Sequence, residues 1–391
     1  MNPWLRVGAG ASPRDIAQAV GRSRRDFLRE ATGAAAATAL FGASTGRLRA
    51  TGLARKVVVV TFGGGARDEE TFMPDGQRNI PYMLHELIPQ ATFFTQVVNH
   101  GILGHYVATA SLATSVYETF DNFAAVAPRF PTVFEYFRKG LHRPASDAWV
   151  IAPSNGFNRL GGSDHTGYGP QYAARVILPK RLLAAALKPA QTSQYENLLR
   201  DSYETPLYTP ELTGKHLELH EMAELLRLSV ADFRAHATTL ASPDELSVYI
   251  AKRLMHQVSP SMIWITLHDM DVAHSGAFSL YLQGIQRTDR LAAQIWRTIQ
   301  SEPEYAGKTN MFILPDFGRD SDGDPGGNGF QHHRTGDALS RTTWMLALGP
   351  HVRQNTIVNR PVQSLDLVPT LGAILGFPVP YAQGKPLAEV S

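Results

Sequence analysis

The sequence predicts an α/β domain over residues 56–391: a doubly wound, mostly parallel sheet sandwiched by helices. Short runs dense in β-branched and apolar residues, without polar alternation, read as strands covered on both faces, as in a parallel sheet. Stretches of helical texture alternate with them, which implies right-handed crossovers. Size agrees: 391 residues, 43% hydrophobic and 18% charged, suffice for one large domain with insertions and argue against disorder.

The elements follow in order. Lys56–Thr61 (KVVVVT) reads as the first strand, stopped by Phe62-Gly63-Gly64-Gly65. Ala91–Val98 reads as the second, and Gly104–Tyr117, rich in Ala and Thr, as a helix. Ala148–Ala152 (AWVIA) is a short buried strand. From about 180 to 257 the texture turns helical and charged, including His216–Arg227 and Pro243–Gln257, and reads as a helical cap inserted within the domain. Met262–Leu267 (MIWITL) resumes the sheet, and Ser279–Gln300 reads as an amphipathic helix with Ile285, Ile295 and Ile299 on one stripe. Asn310–Leu314 and Trp344–Leu348 are further strands, and Leu365–Leu375 a helix stopped by Gly376. Asp320–Gly329 (DSDGDPGGNG) is a low-complexity loop.

Residues 1–55 stand apart. They carry nine Arg against three acids, leaving 28 of the 37 basic and 32 of the 35 acidic side chains to the rest. A mildly acidic body argues against nucleic acid as a partner. Ser23-Arg24-Arg25-Asp26-Phe27-Leu28, followed by the alanine-rich stretch Ala31–Ala43, reads as a twin-arginine export signal, so the protein is expected in the periplasm or elsewhere outside the cytoplasm. Leu48-Arg49-Ala50 and Gly52-Leu53-Ala54 are both poor cleavage sites, so membrane contact is expected only through this segment where it stays uncleaved. The chain has no cysteine, which excludes a disulfide scaffold, thiolate metal ligands and a cysteine nucleophile.

Three segments that follow strand ends carry the candidate chemistry: His268-Asp269-Met270-Asp271-Val272-Ala273-His274-Ser275-Gly276, Pro315-Asp316-Phe317-Gly318, and Gln331-His332-His333-Arg334. In doubly wound sheets ligands bind at the carboxyl ends of strands. Carboxylate oxygens with neutral imidazoles suit one borderline divalent ion, zinc first, with manganese or calcium as alternatives. Each histidine taken alone reads as a packing residue; three such segments together favour a metal.

The order of these segments resembles the alkaline phosphatase superfamily, which includes sulfatases, nucleotide pyrophosphatases and cofactor-independent phosphoglycerate mutases. The likeness runs over most of residues 56–390. Asp271 to Gly276 is similar to the family's aspartate, short gap, histidine, small residue, glycine; Asp316-Phe317-Gly318 stands at its Asp-His-Gly; Ser364–Leu371 with Gly384-Lys385-Pro386-Leu387 matches its closing helix and end. The resemblance implies two metals with a hydroxyl or thiol nucleophile between them. One site carries over to Asp271 or Asp269, His274, and His333 or His332. The other is damaged: its first Asp falls on a glycine, placed at Gly64, and Asp316 remains but its histidine neighbour is Phe317. The nucleophile falls on Asn99, Gly101 or His105, none a hydroxyl or thiol, with Thr109 and Ser111 one or two turns further in. The sulfatase signature is missing there too.

A surviving single ion could still activate water, with Asp68, Glu69 or Glu70 as ligand or base and His105 as base or nucleophile; the plainer readings make the acids solvated loop charges and His105 a locally bonded helix residue. Gly63-Gly64-Gly65 lacks the spacing of a nucleotide-binding loop and reads better as tight packing beneath a pocket. Two functions therefore compete: an exported metal-dependent hydrolase of small anionic phosphate, phosphonate or sulfate esters, and a non-catalytic relative that serves a protein partner as a binding or accessory subunit of a membrane-associated or periplasmic complex.

Overall fold

In the computed structural model the described residues are 56–124, 126–152, 155–199, 218–322 and 327–390. The export-signal reading of residues 1–55 lies outside them. A mixed sheet of nine strands forms the middle layer: β1 (Lys56–Phe62), β2 (Ala91–Val98), β3 (Ala148–Ile151), β4 (Arg175–Ile177), β5 (Met262–Leu267), β6 (Thr309–Pro315), β7 (Thr342–Leu348), β8 (Thr356–Val358) and β9 (Val362–Gln363). Their order is β4-β3-β5-β1-β6-β7-β2-β8, with β9 also on β2. β1 is central and parallel to both neighbours, with Phe62 opposite Leu267 and Pro315. β7 runs antiparallel to β6 and to β2, so the carboxyl ends of β1, β2, β5 and β6 and the start of β7 share one edge of the sheet.

Successive side chains of a strand point to opposite faces, and β1 divides accordingly. Val58, Val60 and Phe62 enter the core on one face, under the helices Pro179–Ala186, Pro243–Gln257 and Phe278–Ser301. Val57 and Val59 enter the other, under the helices His105–Thr114, Val133–Gly140 and Leu367–Leu375. The described helices of segment 180–257 set Leu182, Phe233, Leu246 and Leu254 into the first of these cores. Within the described residues, that segment therefore lies against the sheet face.

Local chemistry sets the helix bounds. Pro243 follows Ser242, whose side chain accepts the Glu245 amide, a favourable N-terminus. The helix Phe278–Ser301 buries Ile285, Ile295 and Ile299 on its stripe. His105–Thr114 is buried at every position, as its apolar Ala/Val/Leu content requires. It ends at Ser115, in the left-handed region with φ 59°, whose hydroxyl donates to the Leu365 carbonyl at 2.6 Å. Gly376 ends Leu367–Leu375 with φ 79°.

Candidate metal centre

Four of the segments that meet at the shared edge converge. β5 leads through His268 into a short 3-10 helix, Asp269–Ser275. In that geometry residues three apart eclipse, so Asp271 and His274 point the same way, and His274 Nε2 lies 3.1 Å from Asp271 Oδ1. The turn is anchored from below by Asp244, at the start of helix Pro243–Gln257. Asp244 is fully buried and its carboxylate accepts the His268 and Asp269 amides at 2.7 and 2.8 Å. The loop ahead of β7 delivers His333, whose Nδ1 donates to the Leu103 carbonyl at 2.9 Å and leaves Nε2 facing His274 Nε2, also at 2.9 Å. The helix after β2 delivers His105 at its first residue. Its Nδ1 donates to Asp316 Oδ2 at 2.8 Å and its Nε2 to Asp271 Oδ1 at 2.9 Å.

His105, Asp271, His274 and His333 each offer one ligand atom, and these atoms all lie within 4.8 Å of one another. Three ring nitrogens and a carboxylate oxygen gathered this closely suit a divalent ion of the zinc type; ligands about 2.0–2.1 Å from zinc stand roughly 3.3 Å apart in a tetrahedron. The outer contacts agree. Histidine ligands usually give their second nitrogen to a carboxylate or carbonyl, as His105 gives to Asp316 and His333 to Leu103.

The electrostatics of the ion-free cluster are polarised. Burial opposes charge on His105, but the Asp271 and Asp316 carboxylates outweigh it and raise its pKa to about 10. Burial, reinforced by the His105 and Arg319 charges, drives His333 down to about 2. Burial likewise drives His268 down to about 3 against the pull of Asp271. Asp271 is held well below the usual carboxylate range: burial would raise it, but His105 and the hydrogen bonds from His105 and His274 prevail. Asp316 is raised, chiefly by burial.

Several candidates from the sequence stand elsewhere. Of the Asp269/Asp271 pair only Asp271 joins the group; Asp269 sits two residues round the turn, where Arg287 donates to it at 2.8 Å. Of the His332/His333 pair only His333 joins it, while the His332 carbonyl accepts the Asp320 amide at 2.9 Å. Asp316 lies behind the group as the partner of His105, its Oδ1 accepting the Gly64 and Phe317 amides at 3.1 and 2.9 Å. Glu70 is held by Arg67 and by the Tyr281 hydroxyl, and neither it, Asp68 nor Glu69 joins the group. The Asn99 side chain is engaged in its own loop, accepting the Gly101 amide and donating to the Asp316 carbonyl. The Ser111 hydroxyl donates to the Val107 carbonyl and accepts the Glu118 amide.

One residue that sequence reasoning passed over shapes the site. Arg319, with 1% of its surface exposed, donates through Nε to the Gly65 carbonyl at 2.8 Å and places Nη2 3.2 Å from Asp271 Oδ1. A Cβ on Gly64 would stand 2.4 Å from that Nη2, so the guanidinium fills the space into which an acid after β1 would project. His268 packs against Gly63, where a Cβ would fall 2.2 Å from its ring. Phe317 stacks on the His105 ring, centroids 4.9 Å apart at 22°, and also touches His333.

Comparison with known proteins reveals the fold. The chain matches solved structures over nearly its whole length. The lipoteichoic acid synthase LtaP from Listeria monocytogenes aligns at TM-score 0.52 and 10% identity, covering 95% of this chain and 81% of that one. A protein in the alkaline phosphatase superfamily from Vibrio parahaemolyticus aligns at 0.52 and 12%, covering 94% and 79%. The alkaline phosphatase PafA aligns at 0.53 and 12%, covering 88% of this chain and all of that one. No protein-family model and no curated protein sequence matches the chain. The architecture of this chain is the alkaline phosphatase fold, at a sequence distance that leaves its activity open.

Proposed function

We propose that this protein is a single-ion relative of the alkaline-phosphatase-fold hydrolases that has lost ester transfer and serves as a binding or accessory protein outside the cytoplasm. One observation carries the reading: the Arg319 guanidinium lies against Gly64, in the space where a second metal would require an acid. Phe317, at the neighbouring ligand position, presents a ring with no donor atom, and the helix after β2 opens on His105 rather than a hydroxyl. A fixed cation at Arg319 disfavours a second divalent ion beside it.

Asp271, His274 and His333 are the residues that would hold the one ion, with zinc the best fit to their donor set. A bound zinc would add positive charge to the site, and its field would favour an anionic group nearby without a bond to the ion. The fitting partner is a small anionic ester or an acidic group on a protein. Export rests on Arg24-Arg25 ahead of the weakly apolar segment; retention of export after both are replaced by Lys would refute it.

The competing reading, a single-ion ester hydrolase with His105 as base, has the intact His/Asp group in its favour. Against it, both His105 nitrogens are engaged by carboxylates, Nδ1 by Asp316 and Nε2 by Asp271, so neither faces a water from which it could take a proton. Zinc-loaded protein is therefore expected to turn over an aryl phosphate and an aryl sulfate no faster than its His274→Ala variant. Robust turnover abolished by that change would establish the hydrolase instead.

A further inference from the structure

We infer that His105 is the fourth protein ligand of the single ion, closing a His3Asp site in which no coordination position is left for water or substrate. The inference rests on the single-ion reading above and adds a structural role to it. Its observations are geometric. His105 Nε2 is 2.9 Å from Asp271 Oδ1, the same oxygen that lies 3.1 Å from His274 Nε2, so one carboxylate oxygen is shared by two imidazoles. The His105 and His333 ring centroids are 4.8 Å apart. The two nitrogen–oxygen separations, 2.9 and 3.1 Å, are near the roughly 3.3 Å edge of a zinc tetrahedron.

His105 is also fixed as a ligand needs to be. Its Nδ1 is tied to Asp316, and Asp316 is tied in turn by two backbone amides, from Gly64 and Phe317. The Phe317 ring covers one face of the imidazole at 4.9 Å and blocks its rotation. The backbone is equally constrained, because His105 opens a helix buried along its full length. A carboxylate, a histidine and a metal in line is a common outer-shell arrangement; here Asp316 supplies the carboxylate and His105 the ring.

Sites with four protein ligands are structural, whereas catalytic sites keep one position open. A closed site here joins three segments distant in sequence: the turn after β5 through Asp271 and His274, the helix after β2 through His105, and the loop before β7 through His333. Asp316, Gly64 and Phe317 then make up the shell that aims His105. On this account the changes at Gly64 and Phe317 and the histidine at the head of the helix form one rearrangement.

Cobalt(II) replacing zinc tests this without any assay of activity. Wild-type protein should bind one Co(II) with the intense visible absorption of a four-coordinate ion, unchanged by added azide, phosphate or imidazole. His105→Ala should bind Co(II) more weakly than Asp316→Asn does, and its spectrum should shift when imidazole is added. Loss of an outer-shell partner such as Asp316 costs about 10–100-fold in affinity. A wild-type spectrum that responds to azide, or a His105→Ala variant of undiminished affinity, would overturn the assignment of His105 while leaving the single ion in place. Binding of no Co(II), or of two per chain, would defeat the single-ion reading itself. The wild-type azide titration needs no variant, so a folding defect in His105→Ala leaves the test intact.

Discussion

Placing a methyl group on Gly64 tests the replacement of a metal by a guanidinium. Gly64 adopts φ 81°, and a non-glycine residue in the left-handed region costs about 1–2 kcal/mol. Its new Cβ would also stand 2.4 Å from Arg319 Nη2 and 3.2 Å from Asp271 Oδ1. Arg319 cannot withdraw cheaply, because its guanidinium is fully buried and bonded to the Gly65 carbonyl and to Asp271. Displacing it adds about 1–3 kcal/mol, the usual range for coupling between residues in contact. Gly64→Ala should thus cost about 2–5 kcal/mol in the wild-type background but only about 1–2 kcal/mol in an Arg319→Ala background, from which the obstruction is gone. Arg319→Ala alone leaves Asp271 short of a buried cation, a loss of about 3–5 kcal/mol. Urea unfolding of the four proteins gives the cycle. Additive costs, with coupling below about 0.5 kcal/mol, would refute the reasoning that the guanidinium fills the space beside Gly64.

Three other outcomes follow from the same structure. Asp244→Ala strands the partly buried His268 and Asp269 amides that aim the ligand turn, so it should cost about 2–5 kcal/mol and weaken zinc binding measurably in a chelator competition. Asp289, whose carboxylate accepts the Tyr82 and Met83 amides, is raised to about 7 by burial, with the Glu86 charge adding to it. The folded chain keeps that proton where the unfolded chain has released it, so this stabilisation is complete below about pH 4 and is lost as pH rises through 7. Relative to Asp289→Asn, wild type should therefore lose about 2–3 kcal/mol between pH 5 and pH 8 in urea unfolding. Finally, stripping zinc should lower the melting temperature of wild type by several degrees, since a ligand at a thousand times its Kd contributes about 4 kcal/mol, and should leave His274→Ala unmoved.

The buried strands were legible because continuous β-branched runs leave few alternatives: KVVVVT and MIWITL became β1 and β5, side by side and in register. β4, β8 and β9, of two or three residues each, carry no such run and were missed. The antiparallel sense of β7 was also hidden, because WMLAL reads alike in either direction. At the site, spacing alone left Asp269 against Asp271 and His332 against His333. What separates the aspartates is the phase of a 3-10 turn and an arginine 18 residues along the chain from Asp269, and what sets His333 is the Leu103 carbonyl that holds its Nδ1. Arg319 gave no local signal; its meaning depends on Gly64, 255 positions away, and only the contact between them shows why that glycine stands where an acid was expected.

The central claim is one ion, held by the His/Asp group, with Arg319 in place of a second. Anomalous diffraction at the zinc edge from zinc-loaded crystals tests it most directly. The account expects a single peak among Asp271, His274, His333 and His105, with the guanidinium of Arg319 still against Gly64. A second peak beside Asp316, or Arg319 displaced to admit one, would contradict it.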